Sequence, residues 1–362
     1  MKRADLLVID DEFSVLYTVK AILEKHFTSI ATFTDPKEGL AFLAEKGCRV
    51  LITDLRMPEI DGVEVLRRAL AADPDIQVIM LTAHGSEKVA VEALKMGAYH
   101  YITKPFDPEE LLLLVRKALD QYAFRKRIQY DTEMARSLQL NLLPAPALAT
   151  DHFRISARYI PGGSVGGDYY DYQLLPDGAL GVIVADAAGH GVSSAMMMAM
   201  LKMAFLNAAP ACGNPSILLA AINRAFIPVL KGRSFFTAFY GILRPEPLRL
   251  TFASAGHPFP LFLRPAEKRF LESDITGPAI GLFHDATYAD NEIPVQTGDR
   301  ILLYTDGLTD LDDDGAAFAE FRNQMQSLAY SNQPDLLDVL SQPIVQRHPS
   351  HADDITMVLI EC

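Results

Sequence analysis

The residues of this chain best suited to chemistry are aspartates, and they fall into two sets. The first third carries Asp10-Asp11 and Asp54, with Thr82 and Lys104 further on; the remainder carries Asp168, Asp186, Asp306 and Asp353, each at a turn or at the edge of an apolar run. Acidic clusters hold hard divalent cations through oxygen, and a cation beside a carboxylate is common equipment for phosphate chemistry. One set reads as built to accept a phosphoryl group and the other to remove one. That pairing joins a switch to an enzyme.

The elements that must position the first set are strands and helices in alternation. Leu6-Leu7-Val8-Ile9, Val50-Leu51-Ile52 and Val78-Ile79-Met80-Leu81 are continuous apolar runs, the pattern of strands buried on both faces. Asp35-Pro36-Lys37-Glu38 and Asp107-Pro108-Glu109-Glu110 each set an Asp N-cap before a Pro at the first helical position, with acid in the first turn. The alternation predicts a doubly wound, parallel α/β domain over residues 1–120, whose ligands bind at the carboxyl ends of the strands. Asp10-Asp11, Asp54, Thr82 and Lys104 all fall at such ends, on one rim.

Over residues 4–120 these positions resemble the receiver domain of two-component response regulators. Asp10-Asp11 matches the acidic pair, and Asp54-Leu55-Arg56-Met57-Pro58 the phosphoacceptor with its following proline. Leu81-Thr82-Ala83 and Lys104-Pro105-Phe106 match the last two motifs, and Tyr101 falls at the switch aromatic. The resemblance implies that Asp54 is the nucleophile that takes a phosphoryl group from a sensor histidine kinase or a phosphotransfer protein. It implies that Asp10, Asp11, Asp54 and the main-chain carbonyl of Arg56 hold Mg²⁺. Lys104 would pair with one phosphoryl oxygen and Thr82 would donate to another, a pull that lets Tyr101 turn inward. Without the rest of that motif, Tyr101 would read as a half-buried strand tyrosine.

A long helix follows, over residues 111–143, and residues 121–145 form a helical linker. Val115, Ala118 and Tyr122 lie at helical spacing; Ile128, Ala135, Leu138 and Leu142 resume the pattern after the basic run Arg125-Lys126-Arg127. So narrow a stripe needs a partner: a second copy in a parallel coiled coil, which gives a homodimer, or docking on either domain. The basic run reads as a solvated charge run, with an acidic partner as the other option. Leu143-Pro144-Ala145-Pro146 ends the helix. Glu133 to Pro144 resembles the helix that precedes the phosphatase domain of bacterial stress-response regulators.

From Phe153 the pattern changes to strands around grouped helices at Ser193–Asn207 and Pro215–Leu230, with the last strand at Ile355–Ile360. This predicts an α+β layered domain over residues 146–362. Gly162-Gly163-Ser164-Val165-Gly166-Gly167-Asp168 lacks the Gly-Lys-Ser/Thr of a nucleotide-binding loop. Together with Ala185-Asp186-Ala187-Ala188-Gly189-His190-Gly191, Tyr304-Thr305-Asp306-Gly307 and Asp353-Asp354-Ile355-Thr356, it resembles the PPM (PP2C-like) Ser/Thr phosphatases. The branch is the one that regulates anti-anti-sigma factors, a β-sandwich fold. The resemblance implies two or more Mn²⁺ or Mg²⁺ ions that activate water for in-line displacement, so that no protein nucleophile is required. Asp186 would bridge two ions, and the Ala187 carbonyl would bind one. Asp306 and Asp353 would bind the other, and Asp168 would hold water or bind directly. Departures are small: Ala187-Ala188 replaces more usual residues at a main-chain contact, Asp310 stands where Glu is common, and Phe318-Ala319-Glu320 lacks a Phe-Gly pair. His190 reads either as a proton donor to the leaving serine or as a solvent-facing histidine; His257 and His351 read as structural.

The chain has 362 residues, 49% of them hydrophobic, ample for more than one core. A net charge of −13 argues against non-specific nucleic-acid or anionic-membrane binding. Cys48, Cys212 and Cys362 have no metal or disulfide spacing and fit a reducing cytoplasm. Met1 to Asp5 lead straight into a strand without a signal-peptide core, and the Ala195–Leu201 methionine run, interrupted by Lys202, reads as a core helix. The expectation is a response regulator with a metal-dependent phosphatase output, acting on phosphoserine or phosphothreonine of a STAS-type anti-anti-sigma protein. The rival is a catalytically weak phosphatase fold that sequesters a partner. A second rival makes the receiver a fixed scaffold.

Overall fold

The computed structural model describes residues 3–83, 87–189, 191–267, 269–271, 275–312, 314–328, 336–347 and 353–362. The chain divides into two compact units, Met1–Asp131 and Thr132–Cys362.

In the first unit, β1 (Ala4–Ile9), β2 (Ile30–Phe33), β3 (Cys48–Asp54), β4 (Gln77–Ala83) and β5 (His100–Lys104) alternate with helices. The helices are α1 (Phe13–Leu23), α2 (Pro36–Lys46), α3 (Gly62–Ala72), α4 (Glu87–Lys95) and α5 (Pro108–Leu142). The sheet order is β2-β1-β3-β4-β5, all parallel. Successive residues of each strand point to opposite faces. Leu7, Ile9, Leu51, Val78 and Met80 therefore bury against α2, α3 and α4, while Leu6, Val8, Val50, Ile52 and Ile79 bury against α1 and the start of α5. This is why the strands read as unbroken apolar runs. The Asp35 cap is made, its Oδ1 accepting from Lys37 N at 2.8 Å, and Asp107 does the same for Glu109 N at 2.7 Å.

In the second unit the strands form a sandwich. One sheet has the order β14 (Asn291–Pro294), β11 (Leu248–Ala255), β10 (Phe236–Pro245), β9 (Leu180–Ala187), β8 (Asp168–Leu174). The other runs β13 (Arg269–Leu271), β12 (Leu261–Arg264), β15 (Arg300–Tyr304), β16 (Ile355–Glu361), β7 (Arg154–Ile160), β6 (Ala147–Ala149). Val182, Val184, Phe239 and Phe252 of the first sheet meet Ile155, Phe262, Ile301 and Val358 of the second in a shared core. The outer face of the first sheet is covered by α6 (Val192–Ala208) and α7 (Pro215–Leu230), and that of the second by α8 (Ala316–Ser327) and α9 (Leu336–Arg347). The stretch Phe318-Ala319-Glu320 lies inside α8.

The helical stretch Val192–Ala211 is long and apolar enough to cross a membrane by length and composition. Here Met197, Met198, Leu201 and Phe205 bury into a protein core, as the methionine run predicts. Lys202, which interrupts the run, serves the fold directly. Its Nζ sits 2.7 Å from the buried Asp171 Oδ2, which also accepts from Tyr169 Oη at 2.6 Å. The pair ties α6 to β8.

The long helix begins earlier than residue 111, at Pro108, and the boundary between the two units falls within it, after Asp131. The basic run is not wholly solvated. Lys126 Nζ lies 3.2 Å from Asp73 Oδ1 and 2.8 Å from Asp75 Oδ2. Tyr122 Oη donates to Asp73 Oδ2 at 3.2 Å, and Arg3 pairs with the same oxygen at 2.7 Å. Burial alone would raise the Asp73 pKa, but the Asp75 amide, Lys126 and Arg3 together hold it below the ordinary carboxylate value.

Candidate active site

The receiver rim is assembled by strand ends. Asp10 follows β1, Asp54 ends β3, Thr82 lies near the end of β4 and Lys104 ends β5. Lys104 Nζ lies 2.7 Å from Asp10 Oδ2 and 2.5 Å from Asp54 Oδ1, with Glu12 at 3.9 Å. Asp10 is fully buried, and burial raises its pKa despite Lys104. Burial would pull the lysine down, but its bonds to Asp10 and Asp54 outweigh that and raise it. The other oxygen of Asp54 accepts from Arg56 N at 2.7 Å. Asp11 is exposed beside this cluster, and Tyr101 is half-buried against the α2–α4 core. Thr82 is buried, its hydroxyl donating to the Ala83 carbonyl at 3.2 Å. One requirement escaped sequence reasoning: a Cβ on Gly62 would stand 2.2 Å from the Asp54 carbonyl, so only glycine lets α3 begin here.

The second set converges at one end of the sandwich. Asp168 on β8 and Asp186 on β9 are register partners, and Asp186 is also opposite Thr237 on β10. A 3-10 turn, Asp306–Leu308, follows β15, and Asp353-Asp354 leads into β16. Asp186, Ala187, Asp306 and Asp353 line a common cleft of about 300 Å³. Burial, reinforced by the charges of Asp306 and Asp353, pushes the Asp186 carboxyl up to about 7. Burial also raises Asp306, with Asp353 next in effect, and Asp168 rises well above its ordinary value for burial and for Asp186.

These residues fit divalent cations. Among the described residues Asp168 Oδ1 and Asp306 Oδ1 are buried with no hydrogen-bond partner, and carboxylates that repel one another in a polar cleft are stabilised by a cation between them. Among the described residues no three acidic, His or Cys side chains already stand close enough to form a finished cation site.

A supporting layer was missed in the sequence. Asp168 Oδ2 accepts from Thr305 Oγ1 at 2.7 Å and Thr356 Oγ1 at 2.6 Å. Asp354 clasps the glycine-rich turn: Oδ1 takes Gly162 N at 2.8 Å, and Oδ2 takes Gly167 N at 2.5 Å. A Cβ on Gly307 would lie 2.0 Å from the Asp354 carbonyl. Thr305 and Gly307 flank Asp306, and Asp354 follows Asp353, so adjacency to a singled-out acid was the available signal for these three; Thr356 lies two residues beyond Asp354 and carried none. His257 is buried, with Nδ1 2.8 Å from Thr237 Oγ1, and burial pushes it down to about 3, so it is neutral. His190 and His351 lie outside the described residues.

A parallel five-stranded sheet with an Asp–Lys–Asp rim, and a two-sheet sandwich with carboxylates at one end, together define a receiver domain joined to a PP2C-like domain. The chain belongs to the Stage II sporulation protein E (SpoIIE) family, whose model matches residues 176–362. The response regulator receiver domain matches residues 6–116. The chain is 34% identical over 164 residues to the DNA-binding transcriptional regulator NtrC of Salmonella typhimurium, which covers 44% of this chain and 33% of NtrC. It is 27% identical over 187 residues to phosphoserine phosphatase RsbU of Bacillus subtilis, which covers 51% of this chain and 55% of RsbU. The chain therefore spans only part of these curated relatives. The crystal structure of the RsbU and RsbW domains of Rv1364c from Mycobacterium tuberculosis is similar at a TM-score of 0.52 and 26% identity, over 60% of each chain.

Proposed function

We propose that this protein is a response regulator whose output is a metal-dependent phosphatase for phosphoserine or phosphothreonine in a regulatory protein. The observation that carries the reading is the cleft lined by Asp186, Ala187, Asp306 and Asp353, with carboxylate oxygens on Asp168 and Asp306 that have no partner among the described residues. In this reading residues 1–120 are the receiver, 121–145 the linker and 146–362 the phosphatase.

Mn²⁺ or Mg²⁺, bound by Asp168, Asp186, the Ala187 carbonyl, Asp306 and Asp353, supplies charge neutralisation and water activation. The chain's own work is to hold those carboxylates oriented. Thr305 and Thr356 fix Asp168, and Asp354 fixes the turn that delivers it. In the receiver, Asp54 accepts the phosphoryl group from a histidine kinase or phosphotransfer protein. Asp10, Asp11, Asp54 and the Arg56 carbonyl hold Mg²⁺, Lys104 neutralises charge, and Thr82 and Tyr101 report the change.

The likeness to phosphoserine phosphatase RsbU supports a phosphoserine substrate; the finer reading, a STAS-type anti-anti-sigma protein, rests on the sequence resemblance. A homodimer through α5 is supported by the exposed Phe124, Ile128 and Leu138 on that helix. Mn²⁺-dependent phosphate release from a phosphoserine protein is expected of the wild-type chain and not of Asp306→Ala. No release by the wild type against any such protein favours the sequestering reading.

A further inference from the structure

Gln139 lies near the end of α5 and is only 4% exposed. Both ends of its amide engage a single residue: Oε1 accepts from Gly166 N at 3.0 Å, and Nε2 donates to the Gly166 carbonyl at 2.9 Å. The side chain thus does for Gly166 what a neighbouring strand would do, satisfying both backbone groups at once. The opposite side of Gly166 is closed. A Cβ there would stand 2.0 Å from Asp354 Oδ2 and 2.1 Å from Tyr159 Oη. The next residue, Gly167, is equally confined, since its Cβ would meet the Ala187 carbonyl at 2.9 Å, while Ala187 N donates to Gly167 O at 3.0 Å. Asp168 follows directly. The segment Gly166–Asp168 is therefore gripped from three sides, by β9, by Asp354 and by the helix.

We propose that Gln139 is a positioning residue for the divalent-cation site, so that the last turns of α5 are a working part of that site. This rests on the cation-dependent phosphatase reading. A segment bonded at both N–H and C=O cannot tilt without losing a buried hydrogen bond, and groups that orient ligands typically change metal affinity by ~10–100-fold when removed. Gln139 does not line the cleft, and its bonds go to Gly166; it acts through the backbone that carries Asp168.

The test uses the full chain in an Asp54→Ala background, which removes an ion ligand of the receiver. Mn²⁺ binding is read from the loss of the free-ion electron paramagnetic resonance signal, alongside the Mn²⁺ dependence of phosphate release. Gln139→Leu is expected to raise the half-saturating Mn²⁺ by ~10–100-fold, with release recovering at saturating Mn²⁺. Gln139→Met keeps the length of the side chain and removes both bonds, and should match Gln139→Leu. Leu140→Ala, an exposed neighbour on the same helix, should match the parent. A parent-like half-saturation in the Gln139 variants, with only a lower melting temperature, overturns the proposal and makes the contact simple packing. Should Gln139→Leu not fold, Gln139→Met decides by the same criterion. A parent chain that neither binds Mn²⁺ nor releases phosphate overturns the phosphatase reading itself, an outcome visible without any Gln139 variant.

Discussion

Thr356 Oγ1 donates to Asp168 Oδ2 at 2.6 Å, joining two residues 188 positions apart; the other carboxylate oxygen is buried without a partner among the described residues. With the Thr305 bond to Oδ2, the Thr356 bond fixes the orientation of the carboxylate. Thr356→Val keeps the shape and removes the donor. Half-saturating Mn²⁺ should rise by ~10-fold or more, with little loss of phosphate release at saturation. Mn²⁺ titrations of release measure this, and an unchanged midpoint would deny Thr356 its role.

Asp354 is buried and accepts from the amides of Gly162 and Gly167. Asp354→Ala strands those donors, at about 1–3 kcal/mol for each group left unsatisfied. The melting transition of the phosphatase unit should fall while that of the receiver stays. Differential scanning calorimetry separates the two.

Burial and the charges of Asp306 and Asp353 push the folded pKa of Asp186 to about 7 from an ordinary value of 3.8. A carboxyl raised on folding favours the folded state in acid, and that contribution is lost as pH rises between those two values. The metal-free phosphatase unit should therefore lose stability over this window. Cations compete with the proton, so Mn²⁺ should raise the melting temperature more at about pH 8 than at about pH 5. Equal increments at both would contradict the assignment of Asp186 as a cation ligand.

Lys104 is the shared counter-charge of Asp10 and Asp54. Lys104→Met leaves two buried carboxylates uncompensated, a change costing about 3–5 kcal/mol where a buried pair is broken. Phosphoryl uptake from acetyl phosphate should be lost, and the receiver transition should move down. Uptake at the wild-type rate would contradict the role given to Lys104.

Much of this was legible in the sequence because two periodicities are strong. The unbroken runs at Leu6–Ile9 and Val78–Leu81 specify buried parallel strands, and the acids at their ends then fall on one rim. The Met-rich run specified a core helix, and Lys202 within it gave no hint of Asp171. Contacts between residues far apart in sequence were not legible. Nothing local tells that Lys126 bonds Asp73, that Thr305 and Thr356 share Asp168, or that Gln139 reaches Gly166. Such contacts depend on which elements the fold brings side by side, and a polar residue with a solvated reading looks the same until its partner arrives. The start of α5 at Pro108 was signalled by the Asp107-Pro108 cap, although the apolar stripe alone suggested a later start.

The most direct measurement of the central claim is phosphate release from a phosphoserine STAS-type protein by the full chain in Mn²⁺, with and without beryllofluoride, which mimics phosphorylated Asp54. Release by the wild type, a change in its rate on adding beryllofluoride, no such change in Asp54→Ala, and no release by Asp306→Ala are predicted. Release that is absent in the wild type, or that persists in Asp306→Ala, would contradict the phosphatase; release indifferent to beryllofluoride would contradict the switch.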